Sequence, residues 1–201
     1  MTPPAASETI LAQLQEGAHL YAAFTPAQVA LVARAGEVMT QAVKAGHKLI
    51  WFGNGGSATQ SQHMAGEFVG RFRKDRRPLA SISLTENMAS ITAIGNDYSY
   101  EDIFARQLEG LAQPGDVAIG LSTSGNSSNV VKALHKAKAL GLPTIGLTGG
   151  TGGKMAGLCE ITLIVPSTTT ARVQELHLAI GHILCGLVED GLGLSSGACR
   201  S

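Results

Sequence analysis

The sequence predicts an α/β fold: a three-layer, doubly wound arrangement in which helices cover both faces of a five-stranded parallel sheet. From residue 48 onwards, short apolar runs alternate with stretches of helical periodicity, which is the pattern of such sheets. Each run is nearly all apolar, as expected of strands that are buried on both faces. The 201 residues, 44% of them hydrophobic, are enough for one domain with a sizeable core.

Two helices, within residues 8–46, are predicted to precede the sheet. In the first, apolar residues recur at roughly helical spacing. The second begins with a capping box formed by Thr25 and Gln28, has Pro26 at its first position, and ends at Gly46. Neither helix carries recognisable chemistry, so we expect both to serve in packing or assembly.

The α/β core is predicted over residues 47–190, within a single domain that spans 1–201. The predicted strands are Lys48–Gly53, Leu79–Leu84, Asp116–Ser122, Pro143–Thr148 and Ile161–Pro166. Helices are predicted near 57–72, 87–94, 100–112, 127–140 and 170–189, and they connect the strands by right-handed crossovers. The tail, residues 193–201, is expected to be disordered.

The composition argues against several classes of protein. A formal net charge of zero argues against binding to nucleic acid. No apolar run approaches the ~18 residues that span a membrane, and no charged segment precedes an apolar stretch at the N-terminus. The three cysteines lack metal-type spacing and fit a reducing compartment, so we predict a cytoplasmic protein.

Charged residues make up only 15% of the chain, which suggests that an oligomer covers much of its surface. Five of the 15 basic residues lie within Arg71–Arg77. This segment is interpreted either as a solvated loop or as a patch for phosphate or a protein partner.

Two turns after predicted strands are rich in glycine and hydroxyl groups. Gly53–Ser57 follows the first strand, and Ser122–Ser128 follows the third. Ligands of open α/β sheets bind in such turns, beyond the C-terminal ends of the strands. Glycine lets the backbone approach a ligand, and hydroxyls with free N–H groups at a helix start bind anions. One turn alone could be a simple helix cap, but two predict a phosphate site. Nucleotide binding is not indicated, because the Walker A lysine is missing.

A second group of candidate residues lies on helices. His63 and Glu67 are four residues apart, so they share one helical face and could bind a metal or act as an acid–base pair. On the last helix, Gln174, His177 and His182 interrupt an apolar stretch. We expect His177 to be a hydrogen-bonded core residue, which is the commoner role of a histidine in such surroundings.

Taken together, these motifs resemble those of the phosphoheptose isomerases, which belong to the sugar isomerase (SIS) superfamily. The resemblance runs in order from about residue 8 to residue 189. It rests on Gly53-Asn54-Gly55-Gly56-Ser57-Ala58, His63-x-x-x-Glu67, Thr92-Ala93-Ile94-Gly95-Asn96-Asp97, Ser122-Thr123-Ser124-Gly125-Asn126-Ser127 and Arg172-Val173-Gln174-Glu175-x-His177-x-x-x-x-His182.

The resemblance implies a flavodoxin- or Rossmann-like SIS domain that forms a homotetramer with active sites between subunits. It implies isomerisation of sedoheptulose 7-phosphate to D-glycero-D-manno-heptose 7-phosphate through an enediolate. This reaction is the first step towards the activated heptose of cell-surface glycans such as lipopolysaccharide or capsule. It also implies one Zn²⁺ per subunit, bound by residues matching His63, Glu67, Gln174 and His182.

The resemblance also implies which residues contact the phosphorylated seven-carbon sugar. Its phosphate site matches Ser57, Ser122, Thr123, Ser124 and Ser127. Other substrate contacts match Asn54, Gly55, Gly56, Asn96 and Asp97, together with Glu67 and Gln174. The sequence departs from the family's pattern at Thr59-Gln60, where Ala-Asp is usual, and at Ala171, where Pro or Asp is common.

For the mechanism, we hypothesise that Glu67 is the base and His182 the acid, with zinc as a Lewis acid. A carboxylate bound tightly to zinc is a poor base, so the two roles of Glu67 belong to different states. Gln174 and His182 are eight residues apart, about 12 Å along one helix. They could lean together around one ion, or they could meet His63 and Glu67 of a neighbouring subunit.

Two further interpretations are open. One is a non-catalytic SIS-domain partner of a replication initiator, for which Arg71–Arg77 would be the binding patch. The other is an isomerase of a different phosphosugar. Because the chain keeps the histidine and glutamate residues of the isomerases, the heptose isomerase is favoured.

Overall fold

The computed structural model describes residues 3–193 and confirms the predicted class of fold. Within these residues, five strands form one parallel sheet in the order β2-β1-β3-β4-β5. The strands are β1 Leu49–Gly53, β2 Ser81–Ser83, β3 Val117–Ser122, β4 Thr144–Gly149 and β5 Ile161–Val165. The α-helices are α1 Pro3–Ala22, α2 Pro26–Lys44, α3 Gly56–Val69, α4 Met88–Asp97, α5 Ala105–Leu111, α6 Ser128–Ala139 and α7 Thr170–Gly191. Apart from Gly193, the predicted disordered tail lies outside the described residues.

The two faces of the sheet are covered by two separate apolar cores. On one face α2, α3 and α7 pack against the sheet, and Trp51 of β1 stacks on Phe68 of α3 with ring centroids 6.2 Å apart. On the other face α5 and α6 pack, and Phe52 of β1 lies 5.6 Å from Phe104, again between ring centroids. Adjacent residues of β1 therefore enter opposite cores, which explains why the strand is apolar throughout.

The strand order places a topological switch point between β1 and β3. On either side of this point the connections leave the sheet in opposite directions, which opens a crevice beyond the C-terminal ends of the two strands. Gly53, the last residue of β1, pairs in register with Leu121 of β3. The two turns predicted to bind phosphate therefore lie side by side at this crevice.

The N-terminal helices agree with the pattern that predicted them. Thr25 caps α2 by accepting a hydrogen bond from the Gln28 amide, and the Gln28 side chain accepts one from the Thr25 amide, which completes the capping box. Gly46 follows the helix in the left-handed region, at φ +85°. In α1, however, the apolar residues Ile10, Leu11 and Leu14 are more than half exposed.

Several element boundaries differ from the predictions; α4, for example, continues to Asp97 instead of ending near residue 94. The helix predicted to reach residue 72 ends at Val69, where Gly70 follows and the Arg76 guanidinium donates to the last-turn carbonyls of Glu67 and Phe68, which have no helical N–H partner. The helix predicted near 100–112 is a 3-10 turn at Tyr100–Asp102 followed by α5, and the buried Ile103 and Phe104 lie between them. The second strand shortens to three residues, Ser81–Ser83, and is an edge strand that pairs only with β1.

Helices α3 and α7 pack unusually closely. A Cβ atom placed on Gly181 of α7 would lie 2.3 Å from the sulfur of Met64 on α3. A Cβ on Gly56, at the start of α3, would lie 2.6 Å from the side-chain nitrogen of Gln174. Glycine at these two positions therefore allows contacts that a side chain would prevent.

Among residues 3–193, no helix combines the length and the apolar character that crossing a membrane requires.

We expect Gly181→Ala to lower the free energy of unfolding by about 1–3 kcal/mol, because the added methyl forces Met64 to move in a packed interior. The matched control is Gly66→Ala on α3, where a Cβ meets no atom within 4 Å. This control should raise stability by about 0.5–1 kcal/mol, because alanine favours the helix. Urea unfolding measures both, and an equal effect of the two substitutions would contradict the close packing.

Candidate active site

Three of the predicted functional side chains meet at the surface between α3 and α7. The Nε2 atoms of His63 and His182 are 3.0 Å apart, and His63 Nε2 is 3.2 Å from Oε1 of Glu67. His63 and Glu67 lie one turn apart on α3, as their spacing predicted, and α7 supplies His182 from the same chain. A neighbouring subunit is therefore not needed to bring these three residues together.

The donor atoms of this cluster fit a divalent metal such as zinc. One donor atom from each of His63, Glu67 and His182 lies within 4.8 Å of the others, and no other group of three His, Cys, Asp or Glu residues within 3–193 does so. Imidazole nitrogens and a carboxylate oxygen are common zinc ligands. A shared cation would accept lone pairs from both imidazoles, whose nitrogens otherwise face each other across 3.0 Å.

The described cysteines do not contribute to a metal site. Cys159 and Cys185 are both buried, and burial raises the pKa of each thiol to about 12. Neither thiol belongs to the His63–Glu67–His182 group or to any other group of three potential ligands among the described residues. Cys199 lies outside the described residues.

Gln174, the fourth predicted ligand, lies against the start of α3. Its carboxamide packs on Gly56, and its backbone carbonyl accepts a hydrogen bond of 2.7 Å from Gln60. The Oε1 atom of Gln60 is buried and has no hydrogen-bond partner among the described residues. Coordination of a metal by Gln174 stays a prediction.

The loop from Gly70 to Pro78, which contains the basic segment, makes specific contacts with α7, unlike a fully solvated loop. The side chain of Arg76 is 1% exposed and forms an ion pair of 2.8 Å with Glu189 of α7. Phe72 stacks on the ring of His182, with centroids 5.5 Å apart and ring planes 13° from parallel. The sequence did not indicate either contact, because each joins residues more than 100 positions apart.

The serine-rich turn and the glycine-rich turn lie side by side at the switch point and are together called the cradle, and phosphate binding there stays a prediction. The hydroxyl groups of Ser122 and Ser127 are 2.9 Å apart, and Ser127 does not cap α6 with its side chain. The start of α3, at Gly55, also lacks a side-chain cap. Two helix N-termini that lack caps, with hydroxyl groups beside them, suit an anion with several oxygens.

Gly125 is required at the bend of the serine-rich turn. Its φ is +67°, and a Cβ there would lie 2.0 Å from the carbonyl oxygen of Gly152. Ser57 and Ser122 of the cradle are buried, whereas Thr123 and Ser124 are more exposed. The arrangement lets hydroxyl and N–H donors converge from two sides.

The cradle is bordered by further hydroxyl groups, which were not selected from the sequence. Thr123 and Ser124 share a cavity of about 300 Å³ with Thr151, Thr168 and Thr170. Thr168 and Thr170 belong to the run Ser167-Thr168-Thr169-Thr170, which follows β5. The hydroxyl-rich turn after β5 is the third such turn in the chain, and it was a signal in the sequence that could have identified these threonines.

Asn54 is held in place by residues from both neighbouring segments. Its amide forms a reciprocal pair with the buried Asn129 of α6, at 2.8 and 2.9 Å, and its oxygen also accepts from the Tyr100 hydroxyl at 3.2 Å. Asn129 thus ties the turn after β1 to the helix after β3. Neither Asn129 nor Tyr100 was predicted from the sequence.

Asn96 and Asp97 lie apart from the cluster. Both are exposed at the end of α4, and Asn96 donates a hydrogen bond of 2.8 Å to Asp97. No described hydrogen bond or ion pair joins either residue to the cradle or to His63, Glu67 and His182. Their contact with substrate stays a prediction.

His177 is a core residue, as its surroundings in the sequence suggested. It is 1% exposed, and its Nε2 lies 3.2 Å from the carbonyl oxygen of Thr148. Because a carbonyl only accepts, the neutral imidazole carries its proton on Nε2. Burial lowers the pKa of His177 from 6.5 to about 4, so the ring stays neutral in the folded protein.

Comparison with known proteins gives consistent matches. Residues 13–149 match the SIS domain family. A phosphoheptose isomerase of Rhodospirillum rubrum is 51% identical over 161 residues, which cover 80% of this chain and 86% of that protein. A phosphoheptose isomerase of Aquifex aeolicus is 50% identical over 176 residues, covering 88% of this chain and 92% of the relative.

Solved structures give the same result. A phosphoheptose isomerase from Neisseria gonorrhoeae matches with a TM-score of 0.87 and 36% identity, covering 92% of this chain and 99% of that one. A phosphoheptose isomerase from Francisella tularensis matches with a TM-score of 0.86 and 33% identity, covering 94% of this chain and 100% of that one.

The burial of His177 predicts a specific pH dependence of stability. The unfolded chain takes up a proton at this residue as the pH falls below about 6.5, whereas the folded protein resists protonation down to about pH 4. The contribution of His177 to the free energy of unfolding is therefore fully present above pH 6.5. It is lost as the pH falls towards 4, and the total loss is about 3 kcal/mol. In His177→Gln, which keeps an N–H donor for Thr148, unfolding free energies measured from pH 7 to 4 should decline less steeply than in wild type. Parallel curves would contradict the burial argument.

Proposed function

Because the chain belongs to the SIS-domain family and, within it, to the phosphoheptose isomerases, we propose that it converts sedoheptulose 7-phosphate to D-glycero-D-manno-heptose 7-phosphate. This ketose–aldose isomerisation would begin the synthesis of activated heptose for cell-surface glycans. Cytoplasmic location and the absence of nucleic-acid partners stay predictions from the sequence.

One observation supports this function above the others. The His63–Glu67–His182 cluster and the phosphate cradle both lie along α3: the cradle is at its N-terminus and the cluster follows within its later turns. Ser57 and His63 are six residues apart, or about 9 Å along the helix axis. An extended seven-carbon sugar can span this separation with its phosphate in the cradle and its carbonyl end at the cluster.

The cradle would hold the phosphate and so orient the reacting end of the sugar. The backbone N–H groups at the starts of α3 and α6 and the hydroxyls of Ser122, Ser124 and Ser127 are the donors. Fixing the phosphate reduces the freedom of the carbonyl end, which brings C1 and C2 to the cluster in one orientation.

The proton transfers fall to Glu67 and His182. Glu67 removes a proton from C1 of the ketose and returns it to C2, and the electron pair passes through an enediolate in between. His182 gives a proton to the oxygen on C2 and takes one from the oxygen on C1, so no proton is gained or lost overall. The Glu67 side chain is 21% exposed, so the sugar can reach the carboxylate.

We propose that His63, Glu67 and His182 also hold one zinc ion per subunit, with Gln174 as the predicted fourth ligand. When bound, the ion would act as a Lewis acid towards the two oxygens of the reacting end. Glu67 can act as base only when it is not held tightly by the metal, because coordination lowers its basicity. Its second oxygen, or its release when sugar binds, would meet this requirement.

Incubation of the purified protein with sedoheptulose 7-phosphate, followed by NMR, tests the reaction. We expect the aldose signals to appear, and Glu67→Gln should reduce turnover by about 10²–10⁴-fold because it removes the base. Glu109→Gln, an exposed carboxylate on α5, is the matched control and should keep wild-type turnover. A chelator should lower the rate, and added Zn²⁺ should restore it.

No aldose from zinc-supplied wild-type protein would refute the proposed reaction and favour a non-catalytic binding role. Conversion of a shorter phosphosugar at a higher kcat/KM would instead favour the isomerase of another substrate.

We further propose that the chain forms a homotetramer with active sites at the subunit interfaces. Apolar side chains on three helices are exposed in the single chain: Ile10, Leu11, Leu14, Tyr21, Val29, Ile183 and Leu187. Tyr21, Val29, Ile183 and Leu187 line one continuous groove between α1, α2 and α7. Because Ile183 follows His182 directly, this apolar surface adjoins the cluster, and a second copy seated on it would border the site.

Leu14→Glu should weaken assembly, since it places a charge on the proposed interface without altering a helix that carries the cluster. Leu111→Glu is the control, because Leu111 is similarly exposed but lies on α5 at the opposite face of the sheet. Sedimentation velocity should show smaller species for Leu14→Glu only, with lower specific activity. A monomer with full specific activity would exclude a shared active site.

A further inference from the structure

The side chain of Glu189 on α7 binds the loop that follows α3. The residue is 1% exposed. Its Oε2 accepts hydrogen bonds from the amides of Arg73 and Lys74, at 3.0 and 3.2 Å. Its Oε1 accepts from the amide of Phe72 at 3.3 Å and from Nε of Arg76 at 2.8 Å. A buried carboxylate with four donors keeps its position, since moving it would leave several polar groups unpaired.

Arg76 extends this network to the helix that carries the proposed base. Its guanidinium donates to the carbonyl oxygens of Glu67 and Phe68, at 2.8 and 2.9 Å. These carbonyls lie in the last turn of α3, where no helical N–H group is available to them. The backbone of Glu67 is thus bonded to Arg76, and Arg76 is bonded to Glu189.

Phe72 carries the network to the proposed acid. The ring of Phe72 lies nearly parallel to the imidazole of His182, with a 13° angle between their planes. The amide of the same residue is bonded to Glu189, so the backbone position that sets the ring is determined by this carboxylate. A parallel ring at this distance opposes rotation of the imidazole about χ2.

We propose that Glu189 is a positioning residue for the isomerisation, an inference that rests on the proposed function. It holds Phe72 against His182 and, through Arg76, fixes the turn that contains Glu67. It does not itself reach the cluster, because it follows His182 by seven residues, about 10 Å along α7. Groups that orient ligands and catalytic side chains in this way typically change metal affinity or activity by 10–100-fold when they are replaced.

Three variants separate positioning from simple stabilisation of the loop. Glu189→Gln replaces one acceptor oxygen with an NH2 group. This group is a donor and cannot accept the hydrogen bonds that the loop amides and Arg76 donate. Phe72→Leu leaves Glu189 intact and removes only the flat ring from His182. Asp190→Asn is the matched control: Asp190 binds the ammonium group of Lys74 in the same loop at 2.7 Å, and it accepts no described hydrogen bond from Phe72 or Arg76.

The measurements are kcat and KM for sedoheptulose 7-phosphate, the Zn²⁺ dissociation constant by competition with a coloured chelator, and thermal unfolding. We expect Glu189→Gln and Phe72→Leu to lower kcat about tenfold and to weaken Zn²⁺ binding by a similar factor. KM should be nearly unchanged, because the phosphate cradle is intact. Asp190→Asn should match wild type in kcat and in zinc affinity.

The outcomes decide between the two roles. Wild-type kcat and zinc affinity in folded Phe72→Leu would overturn the proposal, as would a Glu189→Gln protein that only melts earlier. An equal loss in Asp190→Asn would also overturn it. If Glu189→Gln does not fold, Phe72→Leu decides. If wild type binds zinc more tightly than both variants but converts no sugar, the proposed reaction is wrong, and Glu189 positions the side chains that bind the metal. A wild type that neither binds zinc nor converts the sugar would overturn the proposal.

Discussion

The close contact between α3 and α7 is the constraint on which the site depends. The side chain of Met64 packs on Gly181, and that of Gln174 packs on Gly56, so a methyl group at either glycine would collide with the packed side chain. The contact at Gly56 joins the beginning of α3 to the beginning of α7, and the contact at Gly181 joins residues further along both helices. His63 and His182, each next to a residue of the contact at Gly181, therefore lie beside each other. A larger residue at either glycine would force the packed side chain of Met64 or Gln174 to move.

The rest of α3 links this contact to the two other parts of the site. Its N-terminus forms one side of the crevice at the switch point, where Asn54 and Asn129 join the two turns of the cradle. At its C-terminus, Arg76 donates hydrogen bonds to the carbonyl oxygens of the last turn, and the charge of Arg76 is balanced by Glu189 in a buried ion pair. One helix therefore carries one side of the cradle, two of the three clustered side chains, His63 and Glu67, and the carbonyl groups that anchor the neighbouring loop.

Much of the fold could be read from local patterns in the sequence. Strands such as β1 are apolar throughout because Trp51 and Phe52 enter different cores, and the capping box of α2 involves neighbours three residues apart. Boundaries were wrong where a distant residue decides them. Helix α3 ends at Val69, where Gly70 is a local stop signal within the predicted helix, but the contacts of Arg76 and of the loop bound to Glu189 that replace the next turn come from outside it. For the same reason, the basic segment was not recognised as partly buried.

The sequence by itself determined which side chains were available for chemistry: the i, i+4 pair His63 and Glu67, the two glycine- and serine-rich turns, and His182 among apolar neighbours. Helical periodicity and turn chemistry act over a few residues, so they can be read along the chain. Only the tertiary structure decided that His182 meets His63, that Gln174 packs on Gly56, and that Phe72 covers the imidazole. These pairs are joined by packing between helices and loops more than 100 residues apart, and no local pattern encodes such distances.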